Sequence, residues 1–345
     1  TDVIASNNPG PMGEGGGLYV VAPGGRVQKI FPLLVHEQIS GLIDTPLGQL
    51  GKGAVVEPHI SEDGRSVYFA WFHDQTWKRN GGGWLNQELS YKGCDLYRID
   101  LDALITDPRT DPATLPIQRL TSKQYDGFHK NNVRQTAESR LEFAVNPSLP
   151  GHGGQNWGTC NMHLIEMRTE TGLKAVFVSD RARLANSNSR ADKPNHNFNL
   201  YVADILQDGS LGPARQQQYY TTTSALSPES LRDGYTFSYQ SSTENFRRWD
   251  LQSVSSSGKW GPLLGYAQSS ELYHFGTLIT KELTGGQLHD WFIGVKYYNL
   301  NNAGFGQLHL LDMDDAGTNE FVYSPSSFGT APEQILTHLT PGVTV

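Results

Sequence analysis

Apolar residues recur at every second position in short runs, and each run is closed by Gly, Asp-Gly or Pro. No segment sustains the 3.6-residue apolar period of an amphipathic helix, so the pattern predicts an all-β protein of many short strands. The clearest unit is Glu57–Ala70: an entering strand, an Asp63-Gly64 turn suited to positive φ, then an alternating apolar strand. After an insertion, Asp95–Asp100 reads as a third strand and Ile117–Thr121 as a fourth, which sketches one four-stranded antiparallel module.

Further third strands are predicted at 17–21, 162–167, 199–204, 249–254 and 307–312, making six with 95–100. Second strands precede most of them, at 141–145, 175–180, 235–239 and 291–295. A module of this kind cannot bury its faces alone and must stack on its neighbours, and the spacing of roughly 30 to 70 residues suits stacked units with variable loops. The expectation is a six-bladed β-propeller. An exposed N-terminal segment, 1–16, would precede one propeller domain, 17–345, with blades at 17–50, 54–122, 125–173, 174–222, 223–266 and 269–340. The first blade has candidates for its two outer strands, but only 17 Gly- and Pro-rich residues precede Leu18. Its inner pair is expected from outside this sequence, because an open ring leaves strand edges unpaired. A continuation past Val345 or a second chain would supply it.

Composition narrows the class. Aromatic residues at 10%, 37 glycines and only 18% charged residues fit neither disorder nor a long-helix protein. A net charge of −8, with no basic cluster longer than Arg247-Arg248, removes the phosphate-neutralising term that nucleic-acid binding needs. No apolar stretch approaches the roughly 20 residues of a membrane helix. The two cysteines, Cys94 and Cys160, are too few for a disulfide framework, and no Cys-x-x-Cys-His haem-attachment signature occurs. A chain that opens at Thr1 with Asn7-Asn8-Pro9-Gly10-Pro11 fits removal of a secretory leader, so the expected location is periplasmic or extracellular.

The pattern Pro-x-Ile-Ser-x-Asp-Gly-Arg-x-Val-x-Phe at 58–69, followed by a Leu-Tyr-x-Ile-Asp strand, resembles the PD40 repeat of TolB-like propellers. The stretch Val295–Leu308 is similar to part of the N-terminal propeller domain of hydrazine synthase alpha-subunit-like proteins, and Leu339–Val343 resembles the point where that family leaves its propeller. The resemblance implies a large exported protein whose propeller packs against a following segment with a covalently attached c-type haem and a nearby zinc ion. The present sequence carries no haem-attachment motif, so zinc or haem would come with a partner segment. As a lone thiolate, either cysteine would also serve as a zinc ligand in the manner of that family.

Three histidines stand at the beginnings of predicted inner strands: His59, His129 and His274. Two readings apply. They converge on an axial channel as ligands for zinc or copper, with Asp126 as a supplementary carboxylate and Cys160 as a further candidate. Alternatively, each bonds a neighbouring blade's backbone or channel water, which is favoured because ligands from separate blades need matched depth and outer-shell support. Cys160-Asn161-Met162-His163, with Met167, has the ligand order of blue-copper loops, but its alternating strand context favours packing. Cys94 and Cys160 both lie just ahead of predicted third strands, so a disulfide between them is also open.

Other constellations carry less. No Gly-x-Ser-x-Gly elbow occurs, and Ser253–Ser257 reads as a solvated hairpin. Asp180-Arg181 reads as a local turn closure, and Asp204, Asp312 and Asp314 as strand-end caps. Polar insertions at 77–91, 152–157 and 184–197 have the composition of functional loops on a rigid scaffold. The expected function is therefore an exported scaffold or docking module in a redox or multi-subunit complex, non-catalytic by itself and engaging a protein partner or further segment. The alternative is part of a hydrazine synthase alpha-like metal or haem enzyme completed by another segment. A weaker third reading is a polysaccharide-active propeller using His and Trp.

Overall fold

The Asp63-Gly64 turn forms as its sequence dictates. Gly64 takes φ +72, Asp63 Oδ1 accepts from Ser61 Oγ at 2.7 Å and from Arg65 N at 3.0 Å, and Ser61 N donates to Ser66 O at 2.9 Å. The computed structural model describes residues 16–22, 25–39, 42, 53–72, 77–79, 87–89, 94–121, 160–179, 181, 198–217, 225–243, 246–262, 272–282, 286, 288–297, 307–312 and 334–335. The turn joins β3 (Ala54–Ile60) to β4 (Ser66–Phe72). A short ribbon of β5 (Trp77–Arg79) and β6 (Gln87–Leu89) lies in the insertion, after which β7 (Cys94–Asp100) and β8 (Ile117–Arg119) complete a sheet of order β3-β4-β7-β8.

That order, each strand beside its predecessor, recurs. β9 (Asn161–Thr169), β10 (Gly172–Ser179), β11 (Asn199–Asp204) and β12 (Arg215–Gln216) form a second four-stranded sheet. β13 (Ala225–Ser230), β14 (Tyr235–Thr243), β15 (Phe246–Val254) and β16 (Trp260–Pro262) form a third. β17 (Leu272–Glu282), β18 (Leu288–Tyr297), β19 (Gln307–Asp312) and β20 (Gln334–Ile335) form a fourth. Near the start of the chain, β1 (Leu18–Val21) pairs only with β2 (Val27–Phe31) among the described residues. Among the described residues the protein is thus mostly β, with four four-stranded sheets in the up-and-down order of propeller blades. The chain divides into two compact units, one of residues 1–166 and 174–222, the other of 167–173 and 223–345.

The expected second strands at 175–180, 235–239 and 291–295 are β10, β14 and β18, and the third strands at 95–100, 199–204, 249–254 and 307–312 are β7, β11, β15 and β19. Residues 141–145 lie outside the described residues. One assignment changes: 162–167, read as a third strand, falls in β9 and opens a sheet. Residues 161–216, divided in the sequence reading between two blades, therefore belong to one sheet. The cause is burial. Met162, His163, Leu164, Ile165, Glu166 and Met167 are all buried, so β9 is covered on both faces like a central strand although it lies at its sheet's edge.

The first strands share a device that the sequence pattern concealed. β3 slips register between Val56 and His59, β13 between Leu226 and Glu229, and β17 between His274 and Gly276. Glu57 in β3, Ser227 in β13 and His163 in β9 all take positive φ, at 50°, 50° and 55°. In β3 and β13 the next residue is proline, Pro58 or Pro228, which suits an edge strand at a bulge. Six residues beyond each proline lies a turn glycine, Gly64 or Gly234. A Cβ on Gly64 would meet nothing within 4 Å, whereas one on Gly234 would lie 1.8 Å from Val254 O. Gly64→Ala therefore carries only the left-handed backbone cost, about 1 kcal/mol, to be read as a lower urea midpoint at unchanged m.

The core of the first unit gathers between the β1–β2 ribbon and the β3-β4-β7-β8 sheet. Phe31 stands at its centre, 4.8 Å from Phe69, 5.2 Å from Trp71 and 5.7 Å from Tyr97 between ring centroids. Leu18, Ile30, Val67, Ile99 and Leu104 fill in around these rings. Tyr97 satisfies its hydroxyl by donating to Leu42 O at 2.6 Å. A helical turn, α1 (Leu34–Gln38), caps this region and buries His36 against Phe31, with ring centroids 5.0 Å apart and planes 25° from parallel.

Candidate functional site

Two groups of buried polar residues join the sheets of the first unit, and both depend on the edge position of β3 and β9. The first is built on the bulges. Glu57 and His163, the two left-handed residues, meet through Glu57 Oε2 and His163 Nε2. Three residues further along β9, Glu166 accepts from Tyr68 Oη at 2.7 Å and from the Glu62 backbone N–H at 2.6 Å. Burial, followed by the bond to Glu166, pushes the Tyr68 phenol well above its ordinary range, so it stays a donor. His59 sits across from Tyr68, half-buried, and its burial lowers the imidazole's pKa despite an opposing pull from Glu62.

The second group surrounds Asp95, at the start of β7 and 0% exposed. Its Oδ2 accepts from Arg119 Nε at 3.1 Å and also from Arg119 Nη2. Its Oδ1 accepts from Thr121 Oγ1 at 3.1 Å and from Asn161 Nδ2 at 3.3 Å. Asn161 then accepts at Oδ1 from Ser179 Oγ at 2.9 Å and from Arg181 Nη2 at 2.7 Å. The Arg181 guanidinium lies over the rings of Phe177 and Tyr201, 5.0 and 4.7 Å from their centroids. A continuous series of bonds thus runs from β8 through β7 and β9 to the end of β10, tying one sheet to the next. Arg181 bonds its near neighbour Ser179, as the local-turn reading requires, but it also reaches Asn161 on β9.

The residues proposed from sequence as metal ligands are only partly placed. His59 lies in β3, and His274 lies in β17 at the start of that strand's register shift. His129 and Asp126 lie outside the described residues. Cys160 is fully buried and forms a parallel β-bridge with Cys94, whose thiol donates to Asn161 O at 3.3 Å. Among the described residues, no group of three or more His, Cys, Asp or Glu side chains is arranged to hold a metal ion. His163, noted within the Cys-Asn-Met-His run, is placed in β9 against Glu57. Of Ser253–Ser257, read as a solvated hairpin, Ser256 and Ser257 are exposed but Ser253 and Val254 are buried; the turn itself closes with Gly258 N donating to Ser255 O at 2.8 Å. Asp204 accepts from Lys174 Nζ at 2.5 Å, and that lysine holds its carboxyl below the ordinary range.

Sequence reasoning missed Glu57, Tyr68, Glu166, Asp95 and Asn161. One signal was available for Asp95. Asp95-Leu96-Tyr97 and Asn199-Leu200-Tyr201 each open an apolar third strand with a polar residue, and both polar residues are buried. No helix among the described residues is long and apolar enough to cross a membrane.

No family model matches the chain, and no curated protein matches it significantly. Among solved structures, a puromycin hydrolase S511A mutant complexed with PGG aligns over 87% of this chain and 34% of its own, at 14% identity and TM-score 0.39. A Mycobacterium tuberculosis puromycin-hydrolyzing peptidase aligns over 88% of this chain and 34% of its own, at 13% identity and TM-score 0.38. A GH43 beta 1,3 galactosidase with galactodeoxynojirimycin aligns over 78% of this chain and 75% of its own, at 11% identity and TM-score 0.38. The chain spans 34% of the length of the two puromycin-cleaving enzymes it aligns with.

Proposed function

We propose that the chain is an exported TolB-like propeller that serves as a scaffold or docking module in a redox or multi-subunit complex. The observation that carries the reading is where the polar side chains of the first strands are directed. Glu57, His163 and Glu166 are engaged by groups of the neighbouring sheet, so the edge that would line a propeller axis is used to hold sheet against sheet. The described residues supply a two-stranded ribbon at 18–31 and four-stranded sheets at 54–119, 161–216, 225–262 and 272–335 as candidates for its blades.

The test is the state of the native protein. Gentle extraction followed by native mass spectrometry and cross-linking is expected to find the chain in a stoichiometric assembly with a second polypeptide. A lone 38.1 kDa monomer as the mature species would overturn the proposal.

A second reading, a hydrazine synthase alpha-like metal or haem enzyme completed by another segment, is favoured by one observation. His59 and His274, proposed from sequence as ligands, both fall in first strands at bulges. Burial keeps the His59 ring neutral at neutral pH, the form that binds metal. The described residues do not form a zinc centre by themselves. Elemental analysis and an optical spectrum of native material decide: absence of zinc, copper and a Soret band removes this reading.

A further inference from the structure

We infer that Cys94 and Cys160 are an oxidation site, and that an intramolecular disulfide between them staples the β3-β4-β7-β8 sheet to the strand that opens the next sheet. The inference is independent of the scaffold reading. It begins with the length of β8. That strand pairs with β7 only from Tyr97 to Ile99, which leaves the lateral edge of the first residue of β7 uncovered by it. Residue 160 takes that place: Cys94 and Cys160 form a parallel bridge immediately before β9 begins.

Neighbouring strands lie about 4.8 Å apart, inside the range of about 4.4 to 6.8 Å between Cα atoms that a disulfide spans. Paired residues on adjacent strands also carry their side chains on the same side. The Cys94 sulfur is already directed at this strand, since its thiol donates to Asn161 O at 3.3 Å. Both cysteines are 0% exposed, so closing the bond would bring no group in from solvent. The surrounding scaffold is fixed independently, because Asp95 and Asn161, the residues that follow each cysteine, are themselves hydrogen-bonded. The reaction is a two-electron exchange. Two S–H bonds break and one S–S bond forms, while two protons and two electrons pass to a disulfide oxidant such as glutathione disulfide, which leaves as two thiols.

The full chain, refolded from urea in a glutathione redox buffer and alkylated in denaturant, tests this. The expected product has an intact mass two daltons below the dithiol form. A non-reducing tryptic map should contain peptide 93–98 joined to peptide 141–168. Because the bond closes a loop of roughly 65 residues, the oxidised protein should melt about 5 to 10 °C above the same sample treated with dithiothreitol. Cys160→Ser should lose both the linked peptide and the sensitivity of Tm to reductant, whatever its own stability. Two alkylated thiols, or two separate glutathione adducts, on wild-type protein that has regained its native Tm would overturn the assignment.

Discussion

Asp95→Ala is expected to lower the unfolding free energy by about 4 kcal/mol, the largest effect of any single polar substitution in the first unit. The carboxylate is wholly buried and faces Arg119, whose side chain is 12% exposed. Its removal takes the carboxylate from a mostly buried guanidinium, whose Nε keeps Thr121 O as an acceptor at 3.2 Å, and Thr121 and Asn161 lose an acceptor at the same time. The arithmetic differs for an exposed pair. Lys174 and Asp204 make an equally close contact, but their side chains are 25% and 52% exposed, so Lys174→Ala should cost under about 1 kcal/mol. Asp95→Asn keeps the Oδ1 acceptor and removes the charge, and should fall between the two. Urea unfolding of the three variants at constant m checks the order. A loss below about 1 kcal/mol for Asp95→Ala would show that Arg119 finds solvent or another acceptor, and the sheet-to-sheet role of this group would fail.

The contrast between strand and site explains what the sequence disclosed. β4, β7, β10 and β11 were legible because each is a run of aromatic and branched residues bounded by a turn, and such information is local. β13 was overlooked because Pro228 and two serines interrupt its apolar rhythm; the proline reflects the bulge of an edge strand, which alternation does not encode. The polar groups were illegible for a different reason. Asp95 and Asn161 are 66 positions apart, Tyr68 and Glu166 are 98 apart, and neither pair has meaning until two sheets are set side by side. His163 shows the limit most clearly. Its sequence neighbours are a methionine and a leucine, whereas its spatial partner is a glutamate on a strand more than a hundred residues earlier.

The protein should also lose stability between pH 6.5 and pH 4, and His36 should account for much of the loss. The imidazole is buried in α1, stacked on Phe31, and its Nδ1 accepts a hydrogen bond from Leu33 N at 3.0 Å. Protonating that nitrogen abolishes the bond, and burial lowers the pKa to about 4. Above pH 6.5 the ring is neutral both folded and unfolded, and it adds no pH dependence. Between 6.5 and 4 the unfolded chain binds a proton that the native ring refuses, so stability falls as pH falls. Below pH 4 both states are protonated and the contribution levels off. A displacement of that size would be worth roughly 3 kcal/mol in a sealed site, and screening by nearby solvent reduces the expectation to about 2 kcal/mol. His59, also lowered by burial, acts in the same direction. Asp63, Asp204 and Asp208, held low by their hydrogen bonds, act only below the ordinary carboxylate range and, being exposed, weakly. His36→Gln isolates the effect, because it keeps a side-chain acceptor without a titrating ring. The difference between wild type and variant, measured by urea unfolding across this window, should shift against the wild type by about 2 kcal/mol on acidification. Parallel curves would mean that the His36 ring accepts a proton in place, and that α1 opens to water far more readily than its packing against Phe31 implies.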